Sequence, residues 1–474
     1  MKKNFATRWT ALAVSLGALA LMCGCMVGPD YKPPQTAMPP SWSGPTNSST
    51  NAATRLSDNT ADLARWWTRF QDPKLTELVN AALRTNLDVR LAETLLREAR
   101  AARGRDAGGL WPSLTASGSA THSGSVSRGA TSEKLGAGLG TLWNLDFFGG
   151  TRRQLEADDA AIQAACENVY GARVTLVSEV ALDYIQVRSA QEQIAIARTN
   201  LETETHTAEV TRRRGIAGFV SQLDEANADA QVASTSASIP VLETQIQQSI
   251  FALSILLDRP PADLLEDLSK PGAVPLAPPE VPVGLPSDLL RRRPDIRAAE
   301  ANLHQAAAQI GVAVADFYPQ FSLTGNLNYQ SSLARDLFSG GNGIYSAGPQ
   351  VNWPIFSGGS TVSNLRFQKA ATDAAYLSYQ KTVLAALSDV EGNLVAFAKE
   401  WDHRKALSDA VIQNRRALQF SQQLYRAGTE EFLVLLDAER SLLASETALA
   451  QSRQAISSDL VNIYRALGGG WEDQ

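Results

Sequence analysis

Cysteine and histidine are scarce in this chain, whose 474 residues include only three cysteines and four histidines. Three thiols cannot form a disulfide framework, and the histidines lie too far apart in the sequence to show the spacing of metal ligands. We therefore expect no metal and no other cofactor. The sequence also lacks a nucleophile elbow, a phosphate-binding loop and a histidine–carboxylate cluster, so we expect that the protein is not an enzyme.

An excess of positive charge is also absent. The chain has 43 lysines and arginines against 49 aspartates and glutamates, which gives a formal net charge of −6 at pH 7. A nucleic-acid-binding protein requires a basic face, so nucleic acid is excluded as a partner. Charged residues make up 19% and hydrophobic residues 44% of the chain. This balance excludes both a disordered polyampholyte and a polytopic helical membrane protein.

The N-terminal residues have the pattern of a lipoprotein signal peptide. A basic start precedes an apolar stretch at 9–22, which is too short to span a bilayer. Gly24 supplies the small residue that lipoprotein cleavage requires directly before the modified cysteine. We expect cleavage after Gly24 and acylation of Cys25, whose acyl chains then anchor the protein in a membrane. An ordinary secretory signal with incidental cysteines is the alternative.

Proline is concentrated in two short segments and absent from long ones. Six of the 21 prolines lie between Pro29 and Pro45, nine lie between Pro260 and Pro294, and none follows Ile355. The first cluster predicts an extended tether after the lipid anchor. The second predicts a connector in the middle of the chain, as expected for a duplicated protein.

The two halves of the chain resemble each other in sequence. Matched segments occur in the same order, and their offset rises only from 207 to 213 residues along the chain. Collinear matches of this kind indicate one ancestral unit used twice. The matches include Leu87–Glu93 with Pro294–Glu300, Ser178–Val180 with Ser388–Val390, Gly215 with Gly428, and Asp224 with Asp437.

Alternating apolar and polar residues predict two strands in each half, arranged as two hairpins. Such strands with aromatic borders are typical of a transmembrane barrel wall. Lipid does not tolerate an open sheet edge, and four strands cannot close a barrel, so two, three or more chains must assemble. The hairpin turns are expected at 127–138 and 331–342. The alternation covers residues 113–126, 139–147, 321–330 and 345–355.

The proline-poor segments that follow each hairpin predict long helices. Apolar residues recur every seven positions from Leu435 to Ile463, and similar heptads run through 162–201 and 387–401. Sustained heptads favour coiled-coil packing. One continuous helix is expected from Thr151 to Arg213.

Four segments resemble one known family. Cys25–Pro34, with the sequence CMVGPDYKPP, resembles the mature start of outer-membrane factors of the TolC/OprM family, in the NodT-type efflux lipoprotein branch. Residues 145–150, 435–440 and 466–471 resemble the same branch. The resemblance implies a mixed α/β membrane protein that forms a homotrimer. In that trimer, four strands per chain build a 12-stranded β-barrel joined to a long α-helical coiled-coil barrel.

The resemblance also implies a location and a function. The barrel would lie in outer-membrane lipid and the helical tunnel in the periplasm. The protein would be the outer-membrane channel of a tripartite efflux system. Drugs or other small compounds would reach it from an inner-membrane resistance-nodulation-division pump through a periplasmic membrane-fusion adaptor. Two alternatives stay open, namely the channel of a type I protein secretion system and a non-channel structural envelope lipoprotein.

The predicted helices reverse direction at two tips, where we expect the adaptor to dock. Gly215 and Gly428 are expected to adopt the left-handed conformation that a tight reversal needs. Turn formation without any partner is the alternative for these residues. The predicted docking residues are Arg214, Gly215, Ser221, Arg426 and Gly428.

A periplasmic gate is predicted at Leu433, Asp437 and Asp224. Leu433 and Asp437 lie one helical turn apart, and a trimer would bring three copies of each towards its axis. A leucine ring closes a pore by dewetting, and a carboxylate ring selects cations. The resembling channels narrow at these two positions, and Asp224 is included as the repeat partner of Asp437. The alternative is that these carboxylates only stabilise the starts of their helices.

These patterns divide the chain into a signal peptide at 1–24, a lipid-anchored extended tether at 25–60 and two structural repeats. The first repeat, 61–285, contains helices, a hairpin at 112–148, long helices at 151–257 and a proline-rich connector at 258–285. The second repeat, 286–474, contains a helix at 286–316, a hairpin at 319–357 and long helices at 360–427 and 430–466.

Overall fold

The computed structural model describes residues 26–43, 55–57, 63–124, 131–276, 280–282 and 284–471. The predicted signal peptide, Cys25 and part of the predicted tether lie outside the described residues. The described chain is mostly helical and contains a small antiparallel sheet, so the fold is mixed α/β. Among its helices, none has the length and the apolar composition needed to cross a membrane.

The strands in chain order are β1 (Arg55–Ser57), β2 (Ser113–Gly124), β3 (Thr131–Leu145), β4 (Glu280–Pro282), β5 (Gln320–Ser331) and β6 (Gly343–Asn352). The α-helices are α1 (Pro73–Thr85), α2 (Leu87–Ala107), α3 (Gly150–Ile216), α4 (Gln222–Leu256), α5 (Leu265–Leu268), α6 (Leu289–Arg292), α7 (Pro294–Ala315), α8 (Ser360–Ala427) and α9 (Phe432–Ala466).

The chain divides into two compact units, each assembled from separate segments. Of the described residues, the first unit contains those up to Gln35 and those within Thr94–Cys166 and Ala298–Lys381, and it includes the four-stranded sheet. The second unit contains the remaining segments, which include α4, α9 and the greater part of α3 and α8. The short parallel pair of β1 and β4 belongs to the second unit.

The sheet of the first unit is antiparallel with the strand order β2-β3-β5-β6. Its four strands overlap the segments that the alternating pattern predicts, but β3 begins eight residues earlier, β6 begins two residues earlier and β5 is one residue longer at each end. Strands β2 and β6 form the two edges, and neither has a second neighbour among the described residues.

The first predicted turn, at 127–138, is wrong from Thr131 onwards. Strand β3 begins at Thr131, and residues 134–138 pair in register with residues 117–121 of β2. Glycines and charges in this stretch resemble turn chemistry, but they lie near the end of the hairpin, where His122 Nδ1 and Glu133 Oε1 are 3.3 Å apart across the strands. The second turn lies between β5 and β6 as expected, with short 3-10 turns at 334–336 and 340–342.

The long helices confirm the prediction from the heptads. Helix α3 is continuous over 67 residues, and α8 over 68 residues. At 1.5 Å per residue each is about 100 Å long. On α9, Leu435, Leu442, Ile456 and Ile463 are buried along one side. The seven-residue repeat therefore marks the packed side of the helix.

The start of α3 is fixed by its preceding motif. The Asp146 carboxylate accepts hydrogen bonds from the backbone N–H groups of Thr151 (3.1 Å) and Arg152 (3.0 Å). These are donors that the first turn of a helix leaves unpaired. Gly149, directly before the helix, has φ +75°, which glycine adopts without strain.

The second unit has an aromatic core around Trp66. Its indole is buried, stacks on Tyr464 at 5.0 Å between ring centroids and meets Phe70 edge-on at 6.1 Å. Tyr464 belongs to the last turns of α9, so this cluster ties the C-terminal helix to the segment before α1.

Candidate channel wall and helical tips

The strand register gives the sheet one apolar face. Residues directly opposite each other on neighbouring strands point to the same side. Leu139 of β3 pairs with Leu327 of β5, which pairs with Tyr345 of β6. Leu323 and Val351 lie on this same face, as the sequence predicts.

The opposite face of the sheet carries small polar residues. One row across it consists of Thr115, Gly140, Asn326 and Ser346. Gln350 lies on this side as well, paired with Ser322. A sheet with these two different faces has the side-chain distribution of a wall between lipid and water.

Glycines in β3 make room for the asparagine side chains of the polar face. A Cβ added at Gly138 would overlap the side-chain oxygen of Asn328. One added at Gly140 would lie 3.1 Å from Asn326 Oδ1 and 3.3 Å from Thr115 Oγ1. The asparagine side chains of β5 therefore occupy space next to the β3 glycines that a larger residue in β3 would fill.

Two tryptophans hold the ends of the hairpins in the same way. Trp143 Nε1 donates to the carbonyl oxygen of Leu110 at 2.9 Å. Trp353 Nε1 donates to the carbonyl oxygen of Phe317 at 3.0 Å. Amphipathic aromatic side chains of this type border the apolar band of membrane barrels.

The segment that follows Cys25 is held by a buried arginine. Only 1% of the Arg153 side chain is exposed, and its guanidinium donates to the carbonyl oxygens of Val27 (3.0 Å) and Gly28 (3.3 Å). It also donates to Asp30 and Glu156, both at 2.7 Å. The two carbonyl bonds fix the backbone a few residues beyond the predicted lipid anchor.

Neighbouring contacts tighten the hold on this segment. The Val27 N–H donates to the Phe148 carbonyl oxygen at 3.1 Å. The ring of Tyr31 stacks on His304 with 4.2 Å between centroids, and His304 lies 3.0 Å from Glu156. The predicted tether therefore begins as an ordered, packed segment.

The two helical tips have the same turn geometry. The N–H of Phe219 bonds to the carbonyl oxygen of Arg214, and the N–H of Thr429 bonds to that of Leu424. This six-to-one bond is the mark of a Schellman turn, which places a left-handed residue just after the helix. Gly218 (φ +78°) and Gly428 (φ +76°) are those residues.

The expectation of a left-handed conformation is confirmed for Gly428 and wrong for Gly215. Gly215 lies inside the last turn of α3 and keeps a negative φ. A Cβ there would overlap the carboxylate at the end of the Glu225 side chain, so α3 and α4 approach each other closely at this point. Gly218 performs the reversal instead.

The two turns are 210 residues apart, which differs from the offset of 213 predicted at the tips. Gly218 and Gly428 occupy the same position in their turns. At an offset of 210, Asp437 lies opposite Asn227 and not opposite Asp224. The pairing of Asp224 with Asp437 stays a prediction.

Asp224 and Ser221 together start helix α4. The Ser221 hydroxyl accepts from the Asp224 N–H at 3.2 Å, and the Asp224 carboxylate accepts from the Ser221 N–H at 3.0 Å. This reciprocal pair is a capping box. The Asp224 carboxylate is thus used to stabilise the helix start.

Leu433 and Asp437 lie on the exposed side of α9, one turn apart. Leu433 is 50% exposed, while Leu435 and Leu436 are buried. Leu223, which lies at the same distance from the first tip, is 66% exposed. The structure thus leaves both predicted gate residues of α9 accessible to an axis or a partner.

At the tip, α3 and α8 are joined through Tyr425. This tyrosine is buried, and its hydroxyl is 3.0 Å from Thr211 Oγ1. The Arg214 guanidinium lies 4.6 Å from the ring centroid and donates to the Tyr425 carbonyl oxygen. Arg214 therefore packs within the tip, whereas Arg426 is exposed.

A sequence model of the outer membrane efflux protein family matches residues 78–258 and 285–469, which together make up most of the chain. The chain belongs to the outer membrane efflux protein family. The resemblance seen in the sequence is confirmed. The predicted localisation in the cell outer membrane is also confirmed, because the family and its relatives are outer membrane proteins.

Relatives of the efflux protein match it along almost the whole length. Nodulation protein T of Rhizobium leguminosarum bv. trifolii is 32% identical over 469 residues, or 98% of each chain. The toluene efflux pump outer membrane protein TtgC of Pseudomonas putida is 33% identical over 98% of this chain and 97% of its own. The probable outer membrane lipoprotein SilC of Salmonella typhimurium is 30% identical over 97% of this chain and 98% of its own.

Solved structures share the fold of the efflux protein. The outer-membrane channel OprN is 37% identical, covers 94% of this chain and 100% of its own, and superposes with a TM-score of 0.85. The open state of the MtrE outer membrane channel of Neisseria gonorrhoeae is 31% identical, covers 94% and 99%, and has a TM-score of 0.79.

Sequence reasoning missed two of the residues that organise these sites. The position of Arg153 could have indicated its role. A positive charge in the first turn of a helix interacts unfavourably with the helix dipole, so an arginine there points to another interaction that stabilises it. Tyr425 carried a weaker signal, as the only aromatic residue in the last turn of α8.

Proposed function

We propose that this efflux protein works as a homotrimeric outer-membrane channel of a tripartite pump. It would receive drugs or other small compounds from an inner-membrane resistance-nodulation-division pump through a periplasmic membrane-fusion adaptor. The observation that carries the proposal is the four-stranded sheet, which has one apolar face, one polar face and, within the described chain, two edges without a neighbour.

Closing the sheet requires further copies of the chain. An unpaired backbone group in lipid costs several kcal/mol, so β2 and β6 both need partners. If β6 of one protomer pairs with β2 of the next, three protomers give twelve strands in a closed wall. The polar face, with Asn326 and Gln350, then lines a water-filled pore.

An internal duplication accounts for the paired features of the chain. The family model matches two successive ranges, and the two tips share one turn geometry at an offset of 210 residues. Trp143 and Trp353 make equivalent bonds in the two hairpins. We place the two repeats at 61–285 and 286–474. A trimer of such chains presents six similar tips, which suits a sixfold arrangement of adaptor hairpins.

Small compounds are the proposed cargo. Two of the Pseudomonas putida relatives are named for the efflux of toluene and of antibiotics. These names favour small-molecule efflux over type I protein secretion and over a structural lipoprotein. The family is one of channel proteins rather than enzymes.

The gate and the docking surface are proposed at the helical tips. Leu433 and Asp437 would form the narrowest ring, because they share the exposed side of α9. Asp224 remains a weaker candidate, since its carboxylate already caps α4. Arg426 and Gly428 lie on the surface of one tip, as Ser221 does on the other, while Arg214 and Gly215 shape the turns from within.

Cys25 is proposed to carry the lipid. SilC is named a lipoprotein, and the sequence before Cys25 has the form that lipoprotein cleavage requires. The contacts of Arg153 with Val27 and Gly28 would hold the acylated end against the first unit.

Cysteine labelling of the sheet tests the channel proposal. Single cysteines at Asn326 and Gln350 should react with a membrane-impermeant maleimide in intact outer membranes, because the pore is filled with water. Cysteines at Leu323 and Val351 should stay unlabelled, because lipid covers them. Equal labelling of the two faces would show that the sheet is not a wall between lipid and water.

A further inference from the structure

Two glutamates are buried in the helical unit close to the tips. Glu204 of α3 and Glu439 of α9 are each only 3% exposed. An ionised carboxylate without a charged partner is costly at such a depth. Neither residue belongs to the predicted gate or to the docking surface.

The two carboxylates have unequal partners. Glu439 Oε1 accepts a hydrogen bond from Thr207 Oγ1 at 2.7 Å. Glu204 Oε1 accepts from the Gln231 amide at 2.9 Å, and Gln231 Oε1 accepts in turn from Arg440 Nε at 2.7 Å. Glu204 is thus linked through one amide to a cation, whereas Glu439 is bonded to a hydroxyl.

One oxygen of these two carboxylates has no hydrogen-bond donor. Glu204 Oε2 is buried and has no hydrogen-bond partner among the described residues. Thr207 lies one turn after Glu204 on α3 and bonds to Glu439, so the two carboxyl groups belong to the same layer. A proton held on Glu439 would keep a second negative charge out of this layer.

Among the described residues, the hydrogen bonds of this layer lead to one cation, Arg440, which donates to Gln231. The layer also contains Glu204 from α3 and the neutral Gln231 from α4, and Glu446 of α9 accepts a hydrogen bond from Asn200, one turn before Glu204 on α3. On α8, Arg415 is paired with Glu446, two turns further along α9. The packed apolar cluster next to the layer consists of Ala208, Ala228, Val411, Leu418, Tyr425, Phe432, Leu435, Leu436 and Leu442.

We propose that Glu439 holds a proton in the packed state, and that release of this proton loosens the packing of α3 and α4 against α9 next to the tip. Three helices meet in this layer through these two side chains and Gln231. With the proton present, the layer carries one negative charge, balanced by Arg440. Without it, two carboxylates are buried together.

The direction of the pH effect follows from the Glu439 carboxyl. Burial, with the nearby Glu204 as a further cause, raises the pKa of Glu439 from its ordinary value of 4.5 to about 7. A carboxyl whose pKa is higher in the packed state holds its proton there more tightly than in the loosened state. The packing is therefore strongest below about pH 4.5 and weakens as the pH rises to about 7.

The layer adjoins the proposed gate, and this part of the inference rests on the proposed function. Glu439 follows Asp437 by two residues and faces the opposite side of α9. Loosening on the packed side would free the helix that carries Leu433 and Asp437. A rising pH would then favour the open tip.

Hydrogen exchange of the purified full-length protein tests the proton layer. After correction for intrinsic rates, amides in 204–211 and 435–442 should exchange up to about tenfold faster at pH 8 than at pH 6. Glu439→Gln, which imitates the protonated carboxyl, should abolish the difference. Glu202→Gln, at an exposed position of the same helix as Glu204, should behave like the parent protein.

A second variant keeps the test decisive if Glu439→Gln fails to fold. Glu204→Gln removes the neighbouring charge, so the transition should move to lower pH. No pH dependence in the parent protein, or an unchanged one in both variants, would overturn the proposal. Exchange requires no channel activity, so this result is independent of whether the protein conducts.

Discussion

Replacing both Leu433 and Asp437 with alanine is expected to raise the resting conductance of the channel several-fold in planar bilayers. In a trimer these residues would form a leucine ring and a carboxylate ring one helical turn apart. The alanines remove the apolar side chains that exclude water and the charges that bind cations. Both side chains lie on the exposed side of α9, so their loss leaves the packed side intact.

The first hairpin of helices provides a matched control for the gate. Leu223 and Asn227 follow the first tip at the same distance as Leu433 and Asp437 follow the second, and Leu223 is also exposed. The Leu223→Ala and Asn227→Ala double variant should conduct like the parent protein. A gate variant that is correctly inserted and trimeric, yet conducts no better than the parent, would remove Leu433 and Asp437 from the gate.

Replacing Arg153 with alanine is expected to lower the free energy of unfolding by about 3–5 kcal/mol. The guanidinium is buried and serves two backbone carbonyl oxygens and two carboxylates. Burial alone would raise the pKa of Glu156, but hydrogen bonds from Arg153 and His304 hold it below the ordinary value. Without Arg153, Glu156 is left half-buried with much less compensation.

Denaturant unfolding of the purified protein in detergent measures this loss. Arg103→Ala is the control, because Arg103 lies in the same unit and pairs with Asp159 while both side chains are exposed. An exposed pair of this kind contributes at most about 1 kcal/mol. If Arg153→Ala destabilised the protein no more than Arg103→Ala, the proposed role of Arg153 in holding the N-terminal segment would be wrong.

Elements with a regular period were predictable from the sequence. The alternation through Leu323 and Leu327 identifies β5, and the heptads from Leu435 to Ile463 identify the packed side of α9. In both cases one side of the element is buried or apolar over many residues. That repetition is what makes the signal readable without a structure.

Contacts between distant segments were not predictable in this way. The bonds from Arg153 to Val27 and Gly28 join residues about 125 positions apart. The bond between Glu439 and Thr207 joins residues 232 positions apart. Nothing in the local sequence of either partner encodes the other, so only the fold reveals them.

Tip geometry was predictable in kind but not in register. A glycine was expected just after each long helix, and both tips have one. The local match of Gly215 with Gly428 differs from the turn positions by three residues, because residue types repeat near each turn. The backbone hydrogen bonds of the two turns are 210 residues apart, and at that offset Asp437 lies opposite Asn227.

The central claim is that several chains must assemble to close one β-barrel. Native mass spectrometry of the detergent-extracted protein tests this claim most directly. Strands β2 and β6 are the edges of the four-stranded sheet of a single chain, and three chains give twelve strands. The account predicts a complex with the mass of three chains. A protein that is extracted from the outer membrane as a stable single chain would contradict the account.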